Sequence, residues 1–580
     1  MESAMLKLLR LMRDYKKETV LAPAFKLLEA LFELFVPLVI ANIIDYGIPL
    51  SDKDYTVKMS VILVLLGFVG FAASVIAQYF SAAASVGFAS KVRRSLFVKI
   101  QEMSYSELDR AGIASLITNM TSDINQLQSG VNLTLRLFLR SPCIVFGAMI
   151  MAFTINARLA LIFTAMIAVL AAIVFAIILG TVPLYKKVQA SLSSVTRRVR
   201  ENLGGVRILR GFCLEKSEAE KFGEDADKLH KAQNYVGKFS ALMNPLTYVV
   251  VNGAIILLIG RGAIRVNSGN LSQGELVAMY NYMTQILVEL VKLANLIITM
   301  TKAVACGQRI SSVIEGVEGE RMDGETPVSK NGTPKVEFKN VSFRYSGAGD
   351  ESLKNISFTV NAGDTIGIIG ATGSGKSTLV SLIPAFYTAS EGEVLIDGVD
   401  VKNTDVSALR RKFGIVPQLS TLMRGTLREN LNWRDENATD TDIMIAAAAA
   451  QATDVIMYKD GGLDAVSEQY GRNFSGDQKQ RLAITRALVG SPEILILDDS
   501  SSALDYATDA SLRDAIAGLS HEHTTFIVSQ RTSSIMHADK ILVLEDGMLI
   551  GSGTHSELYD SCAAYREIHD LQFKSGKEEA

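Results

Sequence analysis

The chain has 580 residues, too many for one hydrophobic core, so at least two domains are expected. Hydrophobic residues make up 48% of it, the mean hydropathy is +0.24 and the formal net charge is −3. That hydrophobicity points to a membrane-embedded portion, and the charge balance argues against nucleic acid as a partner.

Residues 1–17 interleave Lys7, Arg10, Arg13, Lys16 and Lys17 with Leu6, Leu8, Leu9, Leu11 and Met12. The pattern reads as an amphipathic helix at a cytoplasmic membrane face or as a solvated basic terminus. Six apolar stretches follow, at about 19–45, 59–82, 135–155, 159–183, 239–260 and 276–300. Each approaches the roughly 20 residues that a helix needs to cross the hydrocarbon core. The links after the first, third and fifth are short. Those after the second and fourth are long and basic, with Lys91, Arg93, Arg94, Lys99 and Arg110 in one and Lys186, Lys187, Arg197, Arg198, Arg200, Arg207 and Arg210 in the other. The positive-inside rule puts these two links and both termini in the cytoplasm of a multi-pass protein of the cell membrane, inner or plasma. Links of that length are not expected to be structureless, so spans two to five should continue as helices into the cytosol. At the tips, Asp109–Gly112, Gly204-Gly205 and Gly211-Phe212 mark turns where a short helix could touch a second domain.

Charges inside the spans need partners or a wet cavity. Lys26, Glu29 and Glu33 share one helical face. Two readings stand for them: a polar patch lining a substrate path, or a local Lys26–Glu29 pair in a span that starts later. For Glu289 and Lys292 a self-satisfied pair is the expectation. The four cysteines, Cys143, Cys213, Cys306 and Cys562, are far apart, so neither a zinc site nor a disulfide framework is indicated. The N-terminus has no signal-peptide cleavage pattern.

The polar, Gly- and acid-rich stretch 315–334 has no periodicity and reads as a linker between a membrane domain, 1–314, and a cytosolic domain, 335–575. The cytosolic part opens on an alternating strand, Val336–Tyr345. It then carries Gly370-Ala371-Thr372-Gly373-Ser374-Gly375-Lys376-Ser377-Thr378, a G-x-x-x-x-G-K-S phosphate loop. A buried strand, Thr365–Ile369, precedes it and a helical run follows it. The glycines let backbone N–H groups face a phosphate, and the helix adds its positive end. Lys376 is expected to reach the β- and γ-phosphates of ATP, and the Ser377 hydroxyl to ligate Mg²⁺. Ile494–Asp498 reads as a buried strand ending in a metal-associated carboxylate. Tyr345 could stack on a base, although most strand tyrosines simply pack.

With Phe474-Ser475-Gly476-Asp477-Gln478 between these two motifs, the chain resembles an ATP-binding-cassette exporter half-transporter over essentially its whole length. The resemblance implies a membrane all-α domain of six helices followed by an α/β phosphate-loop NTPase. It also implies a base-stacking role for Tyr345, a Gln loop at Val416-Pro417-Gln418 whose Gln418 joins Ser377 and Asp498 around the metal, and a signature whose Ser475, Gly476 and Gln478 contact nucleotide. Ser502-Ala503-Leu504-Asp505 resembles the loop that crosses between cassettes. Ser529-Gln530-Arg531 stands at the family's switch. Arg110–Asp123 and Glu201–Phe222 resemble the coupling-helix regions. By the same resemblance two cassettes meet head to tail, and ATP-driven closure turns a membrane cavity outward.

Three residues depart from the family pattern. Asp499 replaces the catalytic Glu and withdraws its carboxylate by about 1 Å, a misplacement that can cost roughly 10²-fold in rate. Gln530 replaces the switch His and cannot carry a positive charge. Asp477 replaces a signature Gly, and two readings stand for it: a carboxylate that impairs the site holding a partner's phosphate, or a side chain that turns away. The expectation is ATP-driven export of an unidentified hydrophobic or amphipathic small molecule or peptide, by a heterodimer in which this half holds a degenerate site. The alternatives are a nucleotide-binding regulatory subunit with little turnover, and an exporter-shaped importer.

Overall fold

The computed structural model describes residues 4–320, 323–328, 332–500, 504–519 and 523–574. They form two compact units: Met1–Val98 with Ala114–Gly316, and Lys99–Ile113 with Val317–Ala580. Parts of the stretch 315–334, all of 575–580, and Ser502 and Ala503 of the crossing loop lie outside the described residues.

The first unit is helical. Its long elements are Lys16–Asn42, Lys53–Gln101, Ile124–Leu137, Arg140–Ile155, Ala157–Gly204, Glu215–Ala241, Met243–Asn267 and Gln273–Gly316. Among the described residues, five helical stretches are long and apolar enough to cross a membrane, and a sixth, shorter apolar segment is Ala157–Ile173. Helix continues past the apolar stretches of spans two to five, as expected. It also continues past the sixth, to Gly316, which the apolar reading ended near residue 300. Hydropathy marks where a bilayer would stop, whereas the backbone needs only residues that tolerate helix, and Lys302, Arg309 and Glu315 do. Helix ends are set locally. Asn156 caps Ala157–Gly204 by accepting from the Leu159 N–H at 3.3 Å. Asp45 reaches the start of Gln273–Gly316, accepting from the Ser272 hydroxyl at 2.5 Å and the Gly274 N–H at 2.7 Å. No side chain fits at 274, because a Cβ there would lie 2.2 Å from the Ala41 carbonyl oxygen.

The charges within the spans form one network rather than separate pairs. Lys26 does meet Glu29, at 2.5 Å, and also donates to Ser74 at 3.0 Å. Lys292 meets Glu289 at 2.8 Å. Arg140 ties the two groups together, at 2.6 Å from Glu289 and 2.7 Å from Glu33, while the Ser141 hydroxyl donates to Glu289 at 2.7 Å. The Arg140 and Glu289 side chains are 8% and 3% exposed, so their attraction is little screened. Replacing Arg140 by Ala is expected to cost about 3–5 kcal/mol by leaving Glu289 and Glu33 short of a partner. A thermal-unfolding midpoint in detergent equal to that of the parent would show that the network contributes nothing.

The second unit is α/β. Its six-stranded sheet runs Met548–Gly553, Lys540–Glu545, Thr365–Gly370, Thr524–Val528, Ile494–Asp498, Phe413–Val416, parallel except for the first strand. The inner strands are continuous apolar runs, as burial on both faces requires. An antiparallel sheet of Leu353–Val360, Val336–Phe343, Glu391–Ile396 and Val399–Asp400 packs its apolar side into the same core, where Phe338 stacks on Phe358 at 4.5 Å. A second core lies under the helices Asp440–Ala449 and Gly476–Leu488.

Residues 99–113 belong to this unit rather than to the helical one. The short helix Tyr105–Ala111 starts on a capping box, Ser104 with Glu107, and stops at Gly112, whose φ of 72° favours glycine. Tyr105 stacks on Phe386 at 4.4 Å, and the Tyr387 hydroxyl donates to Asp109 at 2.7 Å. The stretch read as a linker is likewise held, since Glu320 makes a two-pronged pair with Arg410 at 2.6 and 2.8 Å. At the other tip, a short helix over Val206–Gly211 leaves Ile208 and Phe212 exposed.

Candidate functional site

The strand Thr365–Gly370 ends inside the sheet, and the chain must turn at once to start the helix Lys376–Leu382. Gly373 and Gly375 make that turn with φ of 86° and 96°. A Cβ on Gly375 would lie 2.8 Å from the Ser352 carbonyl oxygen and from Leu353, so this backbone can be followed only by glycine. Lys376 folds back over the loop and donates to the carbonyl oxygens of Gly370 and Ala371 at 2.9 and 2.7 Å, with the Ser374 hydroxyl at 3.5 Å. Burial pulls its ammonium below the ordinary lysine range, against the opposing charges of Asp499 and Asp498. The Ser377 hydroxyl donates to Asp498 at 3.0 Å. Burial raises the Asp498 carboxyl above its ordinary value, Ser377 lowers it, and the neighbouring Asp499 raises it again.

A cavity of about 690 Å³ opens over this loop. Its walls include Tyr345, Thr372, Gly373, Gly375, Lys376, Ser377, Thr378, Gln418, Asp498, Asp499 and Gln530. Residues that end or follow five strands therefore converge here. Gly370 and Ser374 are buried beneath the loop. Ser475, Gly476 and Gln478 do not line this cavity. They begin the helix Gly476–Leu488, where the Ser475 side chain accepts from the Gln478 N–H in a capping box.

The sequence is 36% identical over 569 residues to an uncharacterised ABC transporter ATP-binding protein, YfiB, of Bacillus subtilis (strain 168), covering 98% of this chain and 99% of that one. The chain belongs to the ABC transporter family. Residues 19–290 match the ABC transporter transmembrane region, and residues 353–502 match the ABC transporter domain. An ATP-dependent lipid A-core flippase of Syntrophus aciditrophicus (strain SB) is 30% identical, covering 84% of this chain and 80% of the flippase. A solved bacterial Atm1-family ABC exporter with ATP bound superposes with a TM-score of 0.79 at 23% identity, covering 96% of this chain and 98% of that one, so the two share a fold.

The transporter's cavity suits a magnesium nucleotide. Ser377, Asp498 and Gln418, which line the cavity with Lys376, offer hard oxygen atoms. Among the described residues no group of three or more His, Cys, Asp or Glu could hold a metal by itself. Mg²⁺ keeps waters and takes ligands from substrate phosphates. Tyr345 lies at the rim with its hydroxyl 3.1 Å from that of Thr378 and its ring edge-on to Phe343 at 4.8 Å.

Other wall residues carry no motif. Asp350, Glu351 and Ser352 arrive from the turn before the strand Leu353–Val360, Lys354 from the start of that strand, and Asp546-Gly547 from the hairpin that follows Lys540–Glu545. Gly547, at φ 79°, is the one with a readable signal: an Asp-Gly pair between two apolar runs marks a hairpin. The signature carboxylate is also explained. Asp477 accepts from Arg481 at 2.7 and 3.0 Å, and Arg481 reaches on to Asp454 at 2.7 Å. The side chain is thus turned along its own helix toward a cation at i+4, a spacing visible in the sequence.

Proposed function

We propose that this chain is one half of a dimeric ABC exporter, whose own site binds ATP with Mg²⁺ and hydrolyses it slowly. The observation that carries this is the pairing of Asp499 and Gln530 on the wall of the cavity over Lys376, where a Glu and a His would be expected from the family resemblance. The assigned roles follow from that placement. Tyr345 holds the base. Gly370, Thr372, Gly373, Ser374, Gly375, Lys376, Ser377 and Thr378 cradle the phosphates. Ser377, Gln418 and Asp498 hold the metal, which neutralises phosphate charge when bound. Asp499 orients the attacking water, Gln530 faces the terminal phosphate, and Ser475, Gly476 and Gln478 serve a partner's nucleotide. The membrane domain is taken as 1–314, the linker as 315–334 and the nucleotide-binding domain as 335–575, with the last and both termini cytoplasmic. A membrane lipid or other amphipathic molecule is the favoured cargo, supported by the flippase relative and the apolar spans. The heterodimer partner would bring the Glu and His that this half lacks.

The test is ATP hydrolysis by the purified chain in lipid nanodiscs, alone and with a half-transporter that has Glu and His at the corresponding positions. Alone, turnover is expected to be about 10²-fold below that of the pair. Equal turnover by the chain alone would remove both the slow site and the need for a different partner.

A further inference from the structure

We infer that Gln572, on the last described helix, is a positioning residue that sets the direction of Gln530 in the nucleotide cavity. The inference rests on the reading of that cavity as an ATP site. The Gln572 side-chain amide grips the switch segment from both ends of its functional group. Its oxygen accepts from the Thr532 N–H and from the Thr532 hydroxyl, both at 2.8 Å, and its nitrogen donates to the Gln530 carbonyl at 2.7 Å. One side chain, 42 residues further along, thus spans the backbone on either side of Arg531. The preceding residue is fixed separately: the Ser529 N–H donates to Ile368 of the phosphate-loop strand at 3.1 Å, and the Ser529 hydroxyl accepts from the Arg531 N–H at 3.0 Å. Gln530 itself lines the cavity, and the aim of its side chain depends on how its peptide is held.

The helix that carries Gln572, Ala563–Lys574, is itself anchored. Tyr565 is fully buried against Ile535, Ile541 and Leu558, in a cluster that reaches Ile369 just before the phosphate loop. The Tyr565 hydroxyl lies 2.7 Å from Nδ1 of His555, and the His569 ring stacks on Phe573 at 4.5 Å. The helix is therefore a rigid support, and its amide is the part that touches the switch. An amide is suited to this because it accepts on one side and donates on the other, which no carboxylate or ammonium can do. The same geometry makes the C-terminal helix part of the hydrolysis machinery without contact to nucleotide.

The experiment is a double-mutant cycle on the full-length chain in lipid nanodiscs, with MgATP as the probe. Equilibrium ATP binding and the single-turnover hydrolysis rate are read for the parent, Gln572→Ala, Gln530→Ala and the double variant. Gln572→Ala is expected to slow hydrolysis about tenfold, as a misplaced group does, with ATP affinity within about twofold of the parent. In the Gln530→Ala background the same change is expected to have no further effect, because the two residues act as one. An equal loss in both backgrounds would mean a general structural role and overturn the inference. So would an unchanged rate for either single variant. Gln572→Glu, which keeps the acceptor for Thr532 and loses the donor to Gln530, gives the same reading if truncation unsettles the helix. A parent chain that binds no ATP is a different failure, since it removes the nucleotide site and the inference with it.

Discussion

Replacing Lys376 by Ala is expected to abolish ATP binding by this cassette or to weaken it by about 100-fold. The ammonium is the one cation inside the loop, and charge-assisted hydrogen bonds to a buried partner contribute about 1.5–3 kcal/mol each. Its donors now rest on the Gly370 and Ala371 carbonyl oxygens at 2.9 and 2.7 Å. Burial already disfavours the charge at this position, and polyphosphate would restore what water no longer supplies. Loss of the side chain therefore removes an attraction and leaves Asp498 and Asp499 facing the phosphates uncompensated. The glycine turn is unaffected, because its φ values are set by Gly373 and Gly375. Titration of a fluorescent ATP analogue against the full-length variant checks this. Binding as tight as the parent's would sink the assignment of the cavity as a nucleotide site.

The parts of this site that were legible in the sequence are those built from contiguous residues. A strand, a glycine turn and a helix in direct succession, Thr365–Leu382, fix the phosphate loop, because their chemistry is local. Ile494–Asp498 was readable for the same reason: an apolar run that ends in a carboxylate has few other uses. The residues that escaped notice are brought in by long-range pairing. Gln572 reaches the switch only because Tyr565 seats its helix on Ile535 and Ile541, and no local pattern announces that. Arg140 shows the same limit in the helical unit. Local i, i+3 spacing gave the Lys26–Glu29 and Glu289–Lys292 pairs, whereas the bridge between them joins helices 107 and 149 residues apart. Asp109 falls in a turn that the sequence marks, but its attachment to Tyr387, and that of Tyr105 to Phe386, depends on aromatic surfaces from another part of the chain. Asp477 is an intermediate case. Arg481 was in view at i+4, yet only the structure shows that this pair forms in preference to a carboxylate aimed outward.

Restoring the family's residues, Asp499→Glu with Gln530→His, is expected to raise hydrolysis at this chain's own site by about 10²-fold. Both positions line the cavity over Lys376 and Ser377. Glu adds one methylene and brings a carboxylate within about 2.6–3.2 Å of an attacking water, the range that proton abstraction needs. His supplies a donor that can also carry charge as the transition state develops, which an amide cannot. The new imidazole would inherit a backbone already held by Gln572 at the carbonyl of residue 530. Groups that serve one transition state are strongly non-additive, so each single change is expected to give much less than the pair. A modest loss of stability is expected alongside. Residue 499 sits at φ 50° with its N–H donated to Val528 at 3.0 Å, and Asp tolerates that region better than Glu. The measurement is single-site turnover in a heterodimer whose partner site lacks its catalytic Glu, so that any new phosphate release arises here. Transport need not rise with it, because ATP retained at a slow site can keep two cassettes in contact between cycles. Turnover that stays at the background level would move the limit away from Asp499 and Gln530, to the signature that the partner supplies.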